Sequence, residues 1–269
     1  MQKGKGMFRG QRRDIAALVL LFLISIGAVP ASASLFGDPV CRGMGSTRYP
    51  ERYISWKSPD ADSIRTGISM SCANPYSIPD LYVSTLGFSM LTGSLYAHAD
   101  WTVLNHPLYR EDGVRVSVGT SLLSSPVYVG ICSMTTRVRI RGYPGFVSTV
   151  PSFHAGICCG GGVMIEGEVP AIVFRGGSVS AGIFRVLIRT GDIDLLLNID
   201  EDLNGTTRES IGTAIRLKGR TTMFGGYRSG ACSVTAGLMI RAGMILAAFS
   251  WEGHPVLGST YSAGIVRMW

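Results

Sequence analysis

The feature that most constrains this chain is a strict alternation of two kinds of side chain over residues 211–220. The odd positions carry Ile, Thr, Leu and Gly, whereas the even positions carry small residues and then three cations, Arg216, Lys218 and Arg220. Successive side chains of a β-strand point to opposite faces, whereas a helix would mix the two sets. The segment is therefore predicted to be a strand with one apolar and one cationic face.

The same period of two recurs along most of the chain. It is visible in residues 63–72, 81–103, 114–120, 128–141, 163–169, 184–189, 192–200, 231–251 and 260–269. We predict about ten antiparallel strands, in a range of roughly eight to twelve, with residues 231–251 as one long strand. The apolar phase passes from even to odd numbers across Thr190 and Gly191, which predicts a tight turn or bulge there.

Composition favours one large sheet. The 269 residues include 35 glycines and only 16% charged residues, which is typical neither of a disordered chain nor of a helical, Glu/Lys-rich domain. The net charge is +7, but residues 1–14 hold five cations and one acid, so they account for four of those seven charges. We therefore expect no nucleic-acid partner.

The N-terminus has the pattern of a bacterial secretory signal. A basic stretch is followed by an apolar run over residues 15–29 and by a small-residue site at residues 31–33, which predicts cleavage after Ala33. An uncleaved anchor helix is the alternative. The domain prediction is a signal peptide over residues 1–33, an irregular lead-in over 34–60 and a β domain over 61–269.

Three features favour a barrel in lipid over a soluble exported β-sandwich. The chain is predicted to be exported, the apolar faces are plain aliphatic over several strands, and aromatic residues lie near predicted strand ends, where interfacial girdles form. A helical span over residues 231–251 is disfavoured because Arg241 would lie at its midplane. We therefore predict an all-β fold, a single antiparallel transmembrane β-barrel.

With its signal sequence, dyad strands and C-terminal Trp269, the chain resembles the class of bacterial outer-membrane β-barrel proteins. The resemblance implies insertion by an assembly machinery that recognises a terminal aromatic with apolar residues on the same face. Tyr261, Ala263 and Ile265 fit that face, and Arg267 interrupts it. The expected location is the bacterial outer membrane, with the lipid bilayer and the assembly machinery as partners.

In such a barrel the charged face lines the interior. The predicted lumen-lining residues are Arg115, Arg137, Arg139, Arg141, Arg185, Arg189, Arg216, Lys218, Arg220, Arg241, Glu166, Glu168, Asp192, Asp194 and Asp200. A water-filled lumen would make a porin-like channel for passive passage of small polar or anionic solutes. If acids and bases pair across a narrow lumen, the barrel would be closed and would serve a structural or surface-interaction role. The third alternative is a soluble periplasmic β-sandwich binding module.

Other motifs point to no catalytic or cofactor chemistry. Asp200, Asp202, Asn204 and Glu209 resemble the opening of a calcium loop, but Ile211 stands where a bidentate Glu is needed, so a polar hairpin is the alternative. The four histidines have no metal spacing, and Cys158 and Cys159 are adjacent and would point to opposite faces of a strand. Six cysteines permit disulfides without fixing their pairing. We expect no cofactor and no enzymatic activity.

Overall fold

The computed structural model describes Met44 and residues 66–122, 125–159, 161–170, 182–201, 207–217 and 220–269. The predicted signal peptide and all of the lead-in except Met44 lie outside these residues, as do Lys218, Asp202 and Asn204. In the described part no helix is long and apolar enough to cross a membrane.

The described residues form fourteen β-strands and one turn of 3₁₀ helix, Pro75–Ser77. The strands are β1 Thr66–Asn74, β2 Tyr82–Thr92, β3 Leu95–His106, β4 Tyr109–Ser121, β5 Val127–Ile140, β6 Phe146–Cys159, β7 Val163–Pro170, β8 Ile183–Thr190, β9 Ile193–Glu201, β10 Thr207–Leu217, β11 Thr221–Arg228, β12 Ser233–Ala242, β13 Ile245–His254 and β14 Gly258–Met268.

Each strand pairs antiparallel with its neighbours in sequence, and β1 closes the sheet against β14. Gly67 lies opposite Met268 in that closing pair, and Asn74 lies opposite Tyr261. The architecture is a closed up-and-down barrel, in which no strand of the sheet is left with an open edge.

The two ends of the barrel differ. At one end, which we name the turn end, β1 begins, β14 ends, and short turns such as residues 93–94, 191–192 and 243–244 join the strands. At the other, the loop end, the connections include residues 75–81, 141–145, 171–182, 202–206 and 229–232. Bacterial outer-membrane barrels have the same asymmetry of short turns and longer loops.

The predicted all-β antiparallel barrel is confirmed, but the predicted strand count of about ten is wrong, because the barrel has fourteen strands. Residues 231–251 form parts of two strands, β12 and β13, and residues 81–103 divide between β2 and β3. Gly93 and Gly243 adopt positive φ values of 56° and 62° in the two tight turns. Because each turn spans only two residues, no polar run in the sequence marks the division.

The aliphatic side chains face outward. Residues such as Ile131, Leu195 and Ile211 are exposed, whereas Arg185 on β8 and Asp194 on β9 are buried inside the barrel. A soluble sandwich would bury the aliphatic face and expose the charged one. The structure therefore excludes the sandwich alternative. The change of phase between β8 and β9 occurs at the turn of Gly191 and Asp192, one residue beyond the predicted Thr190 and Gly191.

Candidate functional site: the barrel interior

Four charged side chains from three strands form a buried network inside the barrel. Arg185 of β8 donates to Glu166 and, at 2.7 Å, to Glu168, both of β7. Arg115 of β4 reaches the same Glu168 at 3.2 Å, although β5 and β6 separate their strands along the wall. Arg185 and Glu166 have no exposed surface, and Arg115 and Glu168 retain only 4% and 5%. The network thus links distant parts of the wall across the interior.

Neutral side chains complete this network. The hydroxyl of Tyr128 donates to Glu166 at 3.0 Å, and that of Ser152 donates to Glu168 at 2.8 Å. Tyr96 hydrogen-bonds to His154 nearby, and its ring packs edge-on against Tyr128 with centroids 6.1 Å apart. Buried carboxylates need several such partners, because an unpaired charge in a water-poor interior is strongly unfavourable.

A second ionic group lies closer to the turn end. Asp194 of β9 is 1% exposed and receives two hydrogen bonds from each of two arginines. Arg189 donates at 2.7 and 2.9 Å, and Arg216 at 2.9 and 3.1 Å. One carboxylate therefore balances two guanidinium groups, which leaves this part of the interior positively charged.

The structure gives the other predicted lumen residues various positions. Arg241 faces inward at the end of β12 and donates to the carbonyl of Gly243 at 3.2 Å. Asp200 also faces inward, opposite Arg208. Asp192 and Arg220 are instead exposed in the turns before β9 and β11. Lys218 lies outside the described residues.

Two predicted lumen residues, Arg137 and Arg139, lie on the outer face, and a third, Arg141, is exposed in the turn after β5. In the register of β4 and β5, Arg137 lies opposite Asp112 and Arg139 lies opposite Arg110, all at outward positions. Arg141 follows in the next turn. The sequence prediction assumed that aliphatic residues face outward along the whole of β5. In membrane barrels that rule holds only along the apolar band, and these arginines lie at the loop end of β5, beyond its aliphatic outward positions.

A different part of the wall is lined with hydroxyl groups, which the sequence analysis did not identify. Thr85 and Thr102 are 3.1 Å apart across β2 and β3, and Ser250 hydrogen-bonds to Ser262 across β13 and β14. All four are buried on the inner face. The available signal was the alternation of Ser and Thr with aliphatic residues. The prediction of lumen-lining residues used only the charged positions.

Several aromatic rings lie flat against inward-facing glycines. A Cβ atom added to these glycines would overlap the neighbouring ring; the pairs are Gly119 with Tyr96, Gly156 with Tyr128 and Gly237 with Phe224. Missing side chains thus make room for rings along the wall. This arrangement explains part of the high glycine content, which the sequence alone linked only to bends and crowding.

Met44, from the lead-in, lies inside the barrel. It is fully buried and belongs to one apolar cluster with inward-facing residues of five strands, Leu187, Leu196, Ala214, Phe224 and Ala248. A residue that precedes β1 by more than twenty positions therefore occupies part of the interior. The sequence analysis treated the lead-in as irregular and assigned it no place in the barrel.

A Ser–His–Asp row also lies on the inner wall. His98 bonds to Ser89 at 2.5 Å through Nδ1 and to Asp100 at 2.6 Å through Nε2. Ser89 is only 1% exposed, and the β2–β3 ladder surrounds it. A serine nucleophile needs access to the substrate and donors aimed at the developing oxyanion, so this geometry supports a structural hydrogen-bonded row.

Metal binding finds little support in the described part of the chain, where no group of three or more His, Cys, Asp or Glu residues could hold a metal ion. Of the predicted calcium ligands, Asp200 faces inward and Glu209, paired with outward-facing Ile199, faces outward. Asp202 and Asn204 lie outside the described residues, so calcium binding stays a prediction. Cys72, Cys159 and Cys232 are free thiols.

No protein-family model matches this chain, and no curated protein is similar to it in sequence. Among solved structures, the Acinetobacter baumannii outer membrane protein Omp33 is similar with a TM-score of 0.55 at 8% identity, over 77% of this chain and 98% of that one. A mutant of the Rh. blastica porin gives a TM-score of 0.44 at 9% identity, over 77% of this chain and 99% of that one. The KdgM porin, solved in complex with disordered oligogalacturonate, gives 0.43 at 9% identity, over 76% and 99%. The similarity to Omp33 supports the barrel fold that the strand pairing shows.

Proposed function

We propose that this chain is a porin-like channel of the bacterial outer membrane that lets small solutes cross passively. The observation that carries the proposal is that the distribution of side chains is the reverse of that in a soluble protein. Aliphatic side chains cover the outside of a closed barrel, and arginines and carboxylates line its inside. An outward aliphatic band is stable in hydrocarbon, whereas ion pairs are tolerated in a membrane protein only when they are enclosed.

The asymmetry of the connections supports one orientation. Short turns lie on the periplasmic side of such barrels and longer loops on the extracellular side, so the loop end would face outward from the cell. Export by the N-terminal signal, cleavage after Ala33 and insertion by the assembly machinery belong to the same proposal.

The inner charges suggest weak preference for small anionic solutes. Arginines and carboxylates face inward in equal numbers among the described strand residues: Arg115, Arg185, Arg189, Arg208, Arg216, Arg228 and Arg241, and Asp100, Glu111, Glu166, Glu168, Asp194, Asp200 and Glu252. Near the turn end, however, Arg189 and Arg216 share one carboxylate, Asp194, and Arg241 is a third inward-facing arginine at that end. Rings of like charge set the sign of the ions that a pore admits, so this mouth should favour anions.

A closed structural or surface-interaction barrel is the second candidate, and Met44 is the observation that favours it. Met44 and the network of Arg115, Glu166, Glu168 and Arg185 both occupy interior space. Such a barrel would act through its loops instead of a pore.

Planar-bilayer recording of the purified full chain distinguishes the two candidates. The channel proposal predicts discrete conductance steps with weak anion preference, and it predicts a further shift toward anions in Asp194→Asn, which removes a negative charge from the positive mouth. Thr102→Val, on the hydroxyl-lined wall, is the matched control and should leave selectivity unchanged. A protein that migrates as a folded, heat-modifiable barrel but never conducts would overturn the channel proposal.

Met44→Ala gives a second readout of the same question. If Met44 narrows an open lumen, the smaller side chain should raise single-channel conductance, whereas Met239→Ala, on the wall beside the same cluster, should change it less. Equal conductance in both variants and the unmodified chain would show that Met44 lies away from the path of the ions.

A further inference from the structure

Among the described residues, Arg110, Arg137 and Arg139 on the outer face and Arg141 in the turn after β5 form a strongly basic patch. Arg110 and Arg139 are direct cross-strand partners on β4 and β5, and Arg137 lies opposite Asp112. These positions are continuous with the outward aliphatic residues of the same two strands. The patch therefore lies on the side of the wall that faces lipid, not on the side that faces the lumen.

The register fixes the height of this patch on the barrel. Trp101 of β3 lies opposite Val114 of β4 on the outer face, and the next outward pair toward the loop end is Val103 with Asp112. One outward step along a strand is about 6.6 Å. Tryptophan marks the level where hydrocarbon meets headgroups. The guanidinium groups thus begin one step beyond the hydrocarbon edge, at headgroup level.

Charge within the patch is only partly balanced. The Asp112 carboxylate forms salt bridges with Arg110 and with Arg139, each with an N···O distance of 2.8 Å. Arg137 and Arg141 are both exposed and make no ion pair with a described carboxylate. Even when Asp80 of the adjoining cleft is counted with Asp112, four guanidinium groups exceed two carboxylates and leave a net positive surface.

A shallow cleft of about 520 Å³ opens in the same place. Its lining includes Arg110, Arg139, Arg141, Asn105, His106 and Asp80. Guanidinium groups bind phosphate oxygens through paired N–H donors, and an amide side chain adds a further donor. Asp80 is the opposing charge, and it lies in the turn before β2 with a positive φ of 62°.

We propose that this patch binds the phosphate groups of membrane lipids in the leaflet at the loop end, with bisphosphorylated lipid preferred over lipid with one phosphate. Cations beside a bilayer attract anionic headgroups by about 1 kcal/mol per residue. Two phosphates can engage the Arg110–Arg139 pair and the unpaired Arg137 and Arg141 together. The inference rests on the proposed membrane location but not on channel activity.

The outer face at the loop end of β9 and β10 has the opposite charge and serves as an internal comparison. Glu201 of β9 and Glu209 of β10 lie at outward positions there. Anionic headgroups should avoid that sector. Bound lipid phosphate is therefore expected at β4 and β5 and not around the whole rim.

Native mass spectrometry of the detergent-solubilised full chain tests the proposal, with diphosphoryl lipid A, phosphatidylglycerol and phosphatidylcholine as probes. The expected order of retention is lipid A, then phosphatidylglycerol, then phosphatidylcholine. The double variant Arg137→Gln/Arg141→Gln should weaken lipid A retention on the order of thirtyfold, since two charges are lost. Arg228→Gln, which removes an inward-facing arginine at the same end, is the control for loss of an arginine outside the patch and should leave retention unchanged.

Each other outcome has a defined meaning. Equal retention of lipid A by the double variant and the unmodified chain would overturn the proposal, and so would an equal loss in Arg228→Gln. Displacement of lipid A by millimolar inorganic phosphate would also overturn it, because a site for free phosphate would then be present instead. Single-channel conductance of the double variant should match that of the unmodified chain, which separates this test from that of the channel proposal.

Discussion

Two parts of the inner wall satisfy their buried polar side chains with different chemistry. Across β4, β7 and β8, the interior is filled by Arg115, Glu166, Glu168 and Arg185, with charges in direct contact and almost no exposed surface. Across β13, β14, β2 and β3, the inner wall includes neutral hydroxyl pairs, Thr85 with Thr102 and Ser250 with Ser262, beside the Ser89–His98–Asp100 row. Both walls satisfy polar groups, but only the charged wall carries a large penalty when one partner is removed.

The difference indicates that the two parts of the wall contribute differently to stability. A buried ion network holds side chains from distant strands in one arrangement, because each charge is tolerated only beside its partner. Hydroxyl pairs are replaceable and leave more freedom to the backbone around them. We expect the charged wall to dominate folding stability and the hydroxyl wall to tolerate change.

The largest expected effect is that of Arg185→Met. Without the guanidinium, Glu166 and Glu168 lose their shared cation while they remain buried. We expect a loss of about 3–5 kcal/mol in the free energy of unfolding. Urea titration followed by heat-modifiable gel migration measures it. If Arg185→Met lowered the free energy of unfolding by less than a hydroxyl-wall variant does, the charged wall would not be the part that dominates stability.

Gly119→Ala should have an intermediate effect. The added Cβ would overlap the Tyr96 ring and lie 2.6 Å from the carbonyl oxygen of Val129. Overpacking of this kind destabilises by about 1–3 kcal/mol. Gly113→Ala is the matched control on the same strand and face, because there the nearest atom is the Thr102 carbonyl oxygen at 3.8 Å. Equal unfolding curves for both variants would show that Tyr96 and the backbone adjust freely.

Thr102→Val should have the smallest effect. The change removes one buried hydroxyl from a 3.1 Å pair, so the loss should be about 0.5–1.5 kcal/mol. Replacing Thr85 by Val as well should recover part of that loss, because the Thr85 hydroxyl that has lost its bond to Thr102 is then removed too. If instead Thr102→Val is as harmful as Arg185→Met, the hydroxyl wall is not the tolerant one.

The fold class was predictable because the alternation is local. Each outward aliphatic position on β9 and β10, such as Leu195 or Ile215, can be recognised from its own neighbours in sequence. The number of strands was not predictable to the same degree. The two-residue turns at Gly93 and Gly243 interrupt neither hydrophobicity nor period, so neighbouring strands merge when only the sequence is considered.

The site was predictable only in part, because its geometry is non-local. Alternation places Glu166 and Arg185 on the charged face, but nothing in the sequence shows that Arg115, fifty residues earlier, meets Glu168. The outward position of Arg137 requires knowledge of where the aliphatic outer face ends along β5. The burial of Met44 depends on contacts with Leu187, Leu196 and other residues that lie far later in the sequence.

The most direct test of the central claim is site-directed spin labelling of Leu197 and Asn198, neighbours on β9 that face outward and inward. Each is replaced by Cys in a background without other cysteines, and the protein is reconstituted in liposomes. Collisions with oxygen, which concentrates in lipid, should be frequent for the label at position 197 and rare for the one at 198. Frequent oxygen collisions at 198 and rare ones at 197 would contradict an outward aliphatic face and an enclosed charged interior.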